Sequence, residues 1–324
     1  ESIANSAAEK ASEQGTVNAT THENSNGSKW SNQLITCDKN SRGEVFLHKS
    51  IEKNTVIPHT YFRIDDSRHT TTNPVFITHA HKDHVLKLKD DCPVFATEET
   101  HKIISIDRKN ASKNGIIYGP VKKMIVSDDE LIVLLYVSKE QKEGTQKKQE
   151  AAVESFINDK YKSYIDGKVK YYHTDAIKES TDPKKPIRIV TVRAFNAHHC
   201  PGSCMFLFEM FEGSGDHLDS FFSMFHTGDF RYNENMEKDF KNLKNPIPNL
   251  TLLHVDDTCY YRNDKGQMYR TLTKDEAIEN IRQLIKARQK DNIKCYEFQL
   301  HRIEKSEIWR EIAMEMKTPV FLYG

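Results

Sequence analysis

Apolar positions in this chain fall into short runs separated by polar punctuation, and the runs begin late. Residues 1–30 are rich in Ser, Asn, Ala, Thr and Glu, and Trp30 is the first aromatic. Such a stretch cannot bury enough apolar area to offset its ordering entropy, so 1–50 reads as a disordered or loosely ordered N-terminal extension. Beyond it, 60–65 (TYFRID), 74–78 (PVFIT) and 92–97 (CPVFAT) read as short strands, with a helix over 98–106. The continuous run 131–137 (LIVLLYV) predicts a strand buried on both faces. Residues 138–186 carry KEQKEGTQKKQE and ESTDPKKP, which predicts a surface insertion with one helix near 149–164. Strand patterns resume at 187–195, 204–211, 221–227 and 250–255. The clearest helix is 276–288, with Ile278, Ile281, Leu284 and Ile285 on one face. Strands at 292–298 and 319–323 would flank a helix at 304–316. The alternation of strands and helices predicts an α/β protein.

Composition bounds the rest. At about 150 residues per domain, 324 residues make about two domains. Lys+Arg and Asp+Glu both number 47, so a globally basic nucleic-acid binder is excluded, though a local basic groove is not. No apolar run is long enough to predict a membrane span. Glu1 rather than Met opens the chain, which reads as a processed end or a fragment boundary. The six cysteines include no Cys-x-x-Cys pair and read as reduced thiols.

The sharpest chemistry lies in Thr78-His79-Ala80-His81-Lys82-Asp83-His84. Three imidazoles and a carboxylate fall within six residues directly after an apolar strand. Strand alternation puts His79 and His81 on one side, and a helix starting next would fold Asp83 and His84 back toward them. Imidazole and carboxylate are the donors that Zn²⁺ takes, so the pattern predicts a metal site. Two later strand ends offer more donors: His199 in Asn196-Ala197-His198-His199-Cys200-Pro201-Gly202-Ser203, and Asp229 in His226-Thr227-Gly228-Asp229-Phe230-Arg231. Each is an ordinary turn when read alone. Their order and strand-end placement make the combination specific.

Taken together, HxHxDH, then HCPGS with an apolar M-F-L-F strand, then TGDFR, resemble motifs two, three and four of the metallo-β-lactamase superfamily. More narrowly they are similar to its β-CASP branch of DNA-processing and cross-link repair nucleases, from about Ile51 to the end of the chain. The resemblance implies an αββα metallo-β-lactamase sandwich over 51–255, interrupted by the 138–186 insertion. A partial β-CASP domain would follow over 256–324, cut short because the family's β-CASP region continues beyond the equivalent of Gly324. It implies that His79, His81 and His199 hold one metal, that Asp83 and His84 hold a second, and that Asp229 bridges them. Asp83, Asp229 and His84 would then be the catalytic group, with one or two Zn²⁺ as cofactor. Asp65 matches the aspartate of the first motif, and Asp256 in HVDDT matches a later acidic motif. Both would support the ligands from behind. His198 replaces an Asn common in the family and is given no ligand role, and Cys200 and Cys204 read as packed small side chains. Arg231, Lys82 and Lys87, with Lys89, are candidate phosphate contacts. Lys87 also departs from the glycine usual there.

The implied activity is a zinc-dependent phosphodiesterase that removes nucleotides 5′-to-3′ from single-stranded or overhanging DNA ends. The implied setting is DNA repair, including interstrand cross-links, and telomere maintenance in the nucleus. Partners would be DNA and telomere or repair proteins, with no membrane. A non-catalytic DNA-end-binding module that keeps a metal is the alternative. An RNA endonuclease of the same superfold is a second, disfavoured by the HCPGS and Asp256-Asp257-Thr258 segments.

Overall fold

The computed structural model describes residues 30–35, 55–65, 73–85, 88, 90–113, 121–138, 140–164, 168–215, 217–232, 234–256, 272, 274–288 and 310–314. Its strands in chain order are β1 (Trp30–Ile35), β2 (Thr55–Val56), β3 (Arg63–Ile64), β4 (Val75–Phe76), β5 (Pro93–Ala96), β6 (Lys122–Ile125), β7 (Leu131–Tyr136), β8 (Val169–Thr174), β9 (Ile187–Asn196), β10 (Cys204–Ser214), β11 (His217–His226) and β12 (Leu252–His254). The helices are α1 (Lys82–Val85), α2 (Glu98–Lys113), α3 (Glu143–Lys160), α4 (Glu234–Lys241) and α5 (Lys274–Arg288). One sheet has the order β1-β8-β7-β9-β10-β11-β12, the other β2-β3-β4-β5-β6.

The two sheets face each other across an apolar core. Ile64, Phe76, Phe95 and Met124 of the smaller sheet meet Ile132, Leu134, Val190, Val192, Phe206, Phe208 and Met210 of the larger. Phe76 stacks on Phe95, with ring centroids 4.5 Å apart, and takes the edge of Phe208 at 4.9 Å. Aromatic contacts of this kind add roughly 0.5–1.5 kcal/mol each beyond area burial. The outer faces are covered too. Ile104 of α2 packs against Val75, Ile77, Val94 and Ala96, and Val153 and Ile157 of α3 pack against Leu131, Val133, Leu135 and Ile189. Helix, sheet, sheet, helix is the expected αββα sandwich. Burial on both faces is why 131–137 is apolar without alternation.

Two parts of the sequence reading change. Residues 138–186 are not a surface insertion: α3 closes over the sheet, and β8 lies inside it, between β1 and β7. β7 and β8 are parallel, and a parallel neighbour needs a crossover of a dozen or more residues, which α3 supplies. Only the inner stripe of α3 is apolar, so its charged remainder reads as surface. Residues 30–35 are likewise not loose, because β1 pairs in parallel with β8. On α5, Ile278 and Ile285 are buried with Ile312 in a small separate cluster, whereas Leu284 faces solvent. Residues 310–314 are helical, within the helix expected over 304–316. The expected strands at 292–298 and 319–323, and Lys87 and Lys89, lie outside the described residues.

Candidate metal centre

Every implied ligand sits where a strand gives way to a turn at one edge of the sandwich. His79 and His81 follow β4, α1 carries Asp83 and His84, His199 is in the β9–β10 turn, and Asp229 follows β11. The turns are stitched together by backbone bonds: Cys204 N–H donates to Thr78 O at 2.8 Å, and Arg231 N–H to Ala197 O at 2.9 Å.

The donor atoms of His79, His81, His199 and Asp229 all lie within 4.8 Å of one another. His79 Nε2 is 2.7 Å from His81 Nδ1, and His199 Nε2 is 3.3 Å from the same atom. Asp229 Oδ2 is 3.8 Å from His79 Nε2 and 3.7 Å from His199 Nε2. Its other oxygen, Oδ1, is 3.8 Å from His84 Nε2, which is 3.6 Å from Asp83 Oδ2. Asp229 therefore turns one oxygen toward the His79 and His199 imidazoles and the other toward His84, which is itself beside Asp83.

Asp65 organises this from beneath. It is buried and held at φ +50, a left-handed backbone that costs a non-glycine residue energy and is found where structure over-determines it. Its carboxylate accepts from Thr78 N–H at 2.8 Å and from the Thr78 hydroxyl at 2.7 Å, and lies 3.0 Å from His84 Nδ1. The Thr78 hydroxyl has given its one proton to Asp65, so it accepts from His79 Nδ1, 3.0 Å away. His79 Nε2 is then left as a lone pair facing the cluster. A Nδ1 proton of His84 directed at Asp65 leaves Nε2 as the nitrogen that faces Asp83 and Asp229, bearing a proton there unless a metal takes its place. Holding ligand imidazoles in one tautomer is the usual task of such outer partners. Thr78 was not singled out from the sequence as a functional residue, although its place directly before His79 was visible.

The electrostatics fit a cation. Burial disfavours charge on His84, yet Asp65, Asp229 and Asp83 outweigh it and push its pKa up to about 9. Asp65 is also costly to bury charged, but His84 and the Thr78 bonds hold it below the usual carboxylate range. His84 Nε2 is buried and makes no hydrogen bond, although two carboxylates stand within 4 Å. A lone pair aimed at carboxylates is stable only with a proton or a metal between them. Three imidazole nitrogens and a carboxylate are a donor set for Zn²⁺ or a similar borderline ion.

The remaining sequence candidates are also placed. Gly228 must be glycine: it has φ +53, and a Cβ there would stand 2.7 Å from Thr78 Cβ, Cγ2 and Oγ1. His226 Nδ1 accepts from Gly228 N–H at 3.0 Å, and its ring stacks on His254. The backbone N–H of Asp256 donates to Thr227 Oγ1 at 3.0 Å, so the end of β12 braces the turn that carries Asp229. Arg231, Lys82 and Asp83 are exposed at the rim. Cys204 is buried, and burial with Asp65 nearby raises its pKa, so it stays a packed thiol. His198 is half-buried and outside the cluster of converging donors.

Comparison with known proteins agrees with the geometry. The chain is 34% identical over 134 residues to the 5′ exonuclease Apollo of Rattus norvegicus, and equally so to that of Mus musculus. Over that stretch the chain is homologous to these exonucleases, in line with the metallo-β-lactamase/β-CASP resemblance of its motifs. The matched stretch covers 41% of this chain and only 21% of each relative. No protein-family profile matches the chain. No helix among the described residues is long and apolar enough to cross a membrane.

Proposed function

We propose that this chain is a zinc-dependent DNA nuclease that removes nucleotides 5′-to-3′ from DNA ends, working in the nucleus in repair and telomere maintenance. The observation that carries the reading is the double facing of Asp229, with Oδ2 toward His79 and His199 and Oδ1 toward His84, while its donor atoms lie within 4.8 Å of those of His79, His81 and His199. That double facing supports a reading of two adjoining cation sites sharing one carboxylate. The relatives named 5′ exonuclease Apollo support exonuclease action from a 5′ end, and the HCPGS and Asp256-Asp257-Thr258 segments support DNA over RNA. A separate apolar cluster around Ile278, Ile285 and Ile312 supports a second unit over 256–324, beside a metallo-β-lactamase unit over 51–255.

His79, His81, His199 and Asp229 would hold one ion, and Asp83, His84 and Asp229 a second. When bound, zinc would supply Lewis acidity to a phosphodiester and lower the pKa of water there toward ~7. The chain's own residues do the rest. Asp83 is exposed at the mouth of the site, placed to orient an attacking water and accept its proton. Asp65, through Thr78 and His84, keeps the imidazole lone pairs pointed inward. Arg231 and Lys82, exposed beside the ligands, offer sequence-independent contacts to phosphates.

The test is a nuclease assay on a 5′-phosphorylated single-stranded DNA labelled at its 3′ end, with zinc present. Stepwise shortening by the wild type and none by Asp83→Ala is the expected result. No shortening by folded, zinc-loaded wild type would overturn the proposal that this chain is active alone and leave a DNA-end-binding module. Shortening of RNA but not DNA would assign it to the RNA-processing branch.

A further inference from the structure

The turn that carries His199 is clamped from outside the ligand set. Thr97 immediately precedes α2, and its Oγ1 donates to Gly202 O at 2.7 Å. Thr100, in the first turn of α2, donates its hydroxyl to the same carbonyl at 3.1 Å. Gly202 is at φ +77, and a Cβ there would stand 2.7 Å from Glu99 Cβ, 2.8 Å from Thr97 Oγ1 and 3.0 Å from Thr100 N. The turn is therefore seated directly on the start of α2, where only glycine permits the approach. Inside the turn, Ser203 Oγ accepts from both His199 N–H and Cys200 N–H at 3.1 Å, and Ser203 N–H donates to Cys200 O at 2.9 Å. A displacement of Gly202 would pass through this bonded loop to His199.

His199 also differs from the other imidazoles of its set. His79 is fixed through Thr78, and both His79 and His81 lie on the segment anchored by β4 and α1. His199 comes from a turn between strands of the opposite sheet, so its reach to His81 Nδ1 depends on how the two sheets are joined at this edge. Thr97 immediately precedes α2 and Thr100 belongs to it, and α2 packs on the sheet containing β4. Their bonds to Gly202 O tie the two halves of the donor set together.

We propose that Thr97 and Thr100 are positioning residues for metal binding, holding His199 in register with His79 and His81 through the Gly202 carbonyl. This rests on the metal-centre reading above. The experiment measures cobalt(II) binding to the metal-free full chain by chelator competition, together with the visible absorption spectrum of the bound cobalt. Thr97 Oγ1 also accepts from Thr100 N–H at 3.3 Å, capping α2, and Thr100→Val leaves that cap in place; it should weaken cobalt binding by about 10-fold, with an altered spectrum. Thr97→Val should do at least as much. The double variant Thr97→Ser with Thr100→Ser keeps both hydroxyls without the methyl groups, and should restore affinity to within about twofold and the wild-type spectrum. Wild-type affinity and spectrum in both valine variants would overturn the proposal. Equal loss in the serine double variant would also overturn it, since packing of the methyl groups would then carry the effect. Failure of the wild type itself to take up cobalt would instead overturn the metal-centre reading, and the inference with it.

Discussion

The contact between the two turns at Gly228 and Thr78 can be weighed by one substitution made at two places. Gly228→Ala and Gly215→Ala put the same methyl group on left-handed backbone, at φ +53 and φ +59. Alanine in that conformation costs about 1–2 kcal/mol. At Gly215 the added Cβ meets nothing within 4 Å, so strain is the whole effect. At Gly228 it meets three atoms of Thr78 at 2.7 Å, roughly 1 Å inside ordinary contact. Thr78 cannot give way cheaply, because its N–H and hydroxyl are both bonded to buried Asp65. Overpacking of this sort adds about 1–3 kcal/mol. Gly228→Ala should therefore destabilise the metal-free protein by about 2–5 kcal/mol, against about 1–2 for Gly215→Ala. Urea unfolding of both variants in a chelator reads the difference. Equal losses at the two sites would show that the turn does not press on Thr78, and the account of how Asp229 is placed would fall.

Other consequences can be measured in the same protein. Asp65→Asn removes the charge that orients His84 and, through Thr78, His79, and should lower zinc affinity 10- to 100-fold in chelator competition; unchanged affinity would refute the tautomer argument. Ile157→Ala, in the segment that reads as surface in the sequence, should cost about 2–5 kcal/mol in urea unfolding, because Ile157 is buried on the inner face of α3 against the sheet. A loss below 0.5 kcal/mol, the usual size for an exposed site, would restore the surface-insertion reading. His101 is buried with a ring nitrogen near Met124 O, and burial pushes its pKa down to about 4 from the ordinary 6.5. The unfolded chain then takes up a proton that the folded one refuses, so its contribution is complete above pH 6.5 and is lost as pH falls toward 4. Over that window the loss is about 3 kcal/mol. Unfolding measured from pH 7 to 4.5 should fall less steeply in His101→Gln than in wild type, and parallel curves would contradict this.

The sequence by itself determined the candidate metal-binding pattern and the order of the strands that bear it. Three histidines and a carboxylate after a short apolar run are legible because a metal site calls for particular residue types at strand-end spacing. The run 131–137 is legible because burial on both faces leaves it almost wholly apolar, and 204–211 because its one charge, Glu209, is buried against Arg193. Tertiary structure decided what depends on partners distant in sequence. β8 is a half-polar hexapeptide, recognisable as an interior strand only once β7 and β1 flank it. The facing of Asp229, the tautomers set by Asp65 through Thr78, and the Thr97–Gly202 clamp join residues 13 to more than 100 positions apart. No local pattern records such pairings, because a hydroxyl or a carboxylate looks the same in sequence whether it faces water or a neighbour brought in by the fold.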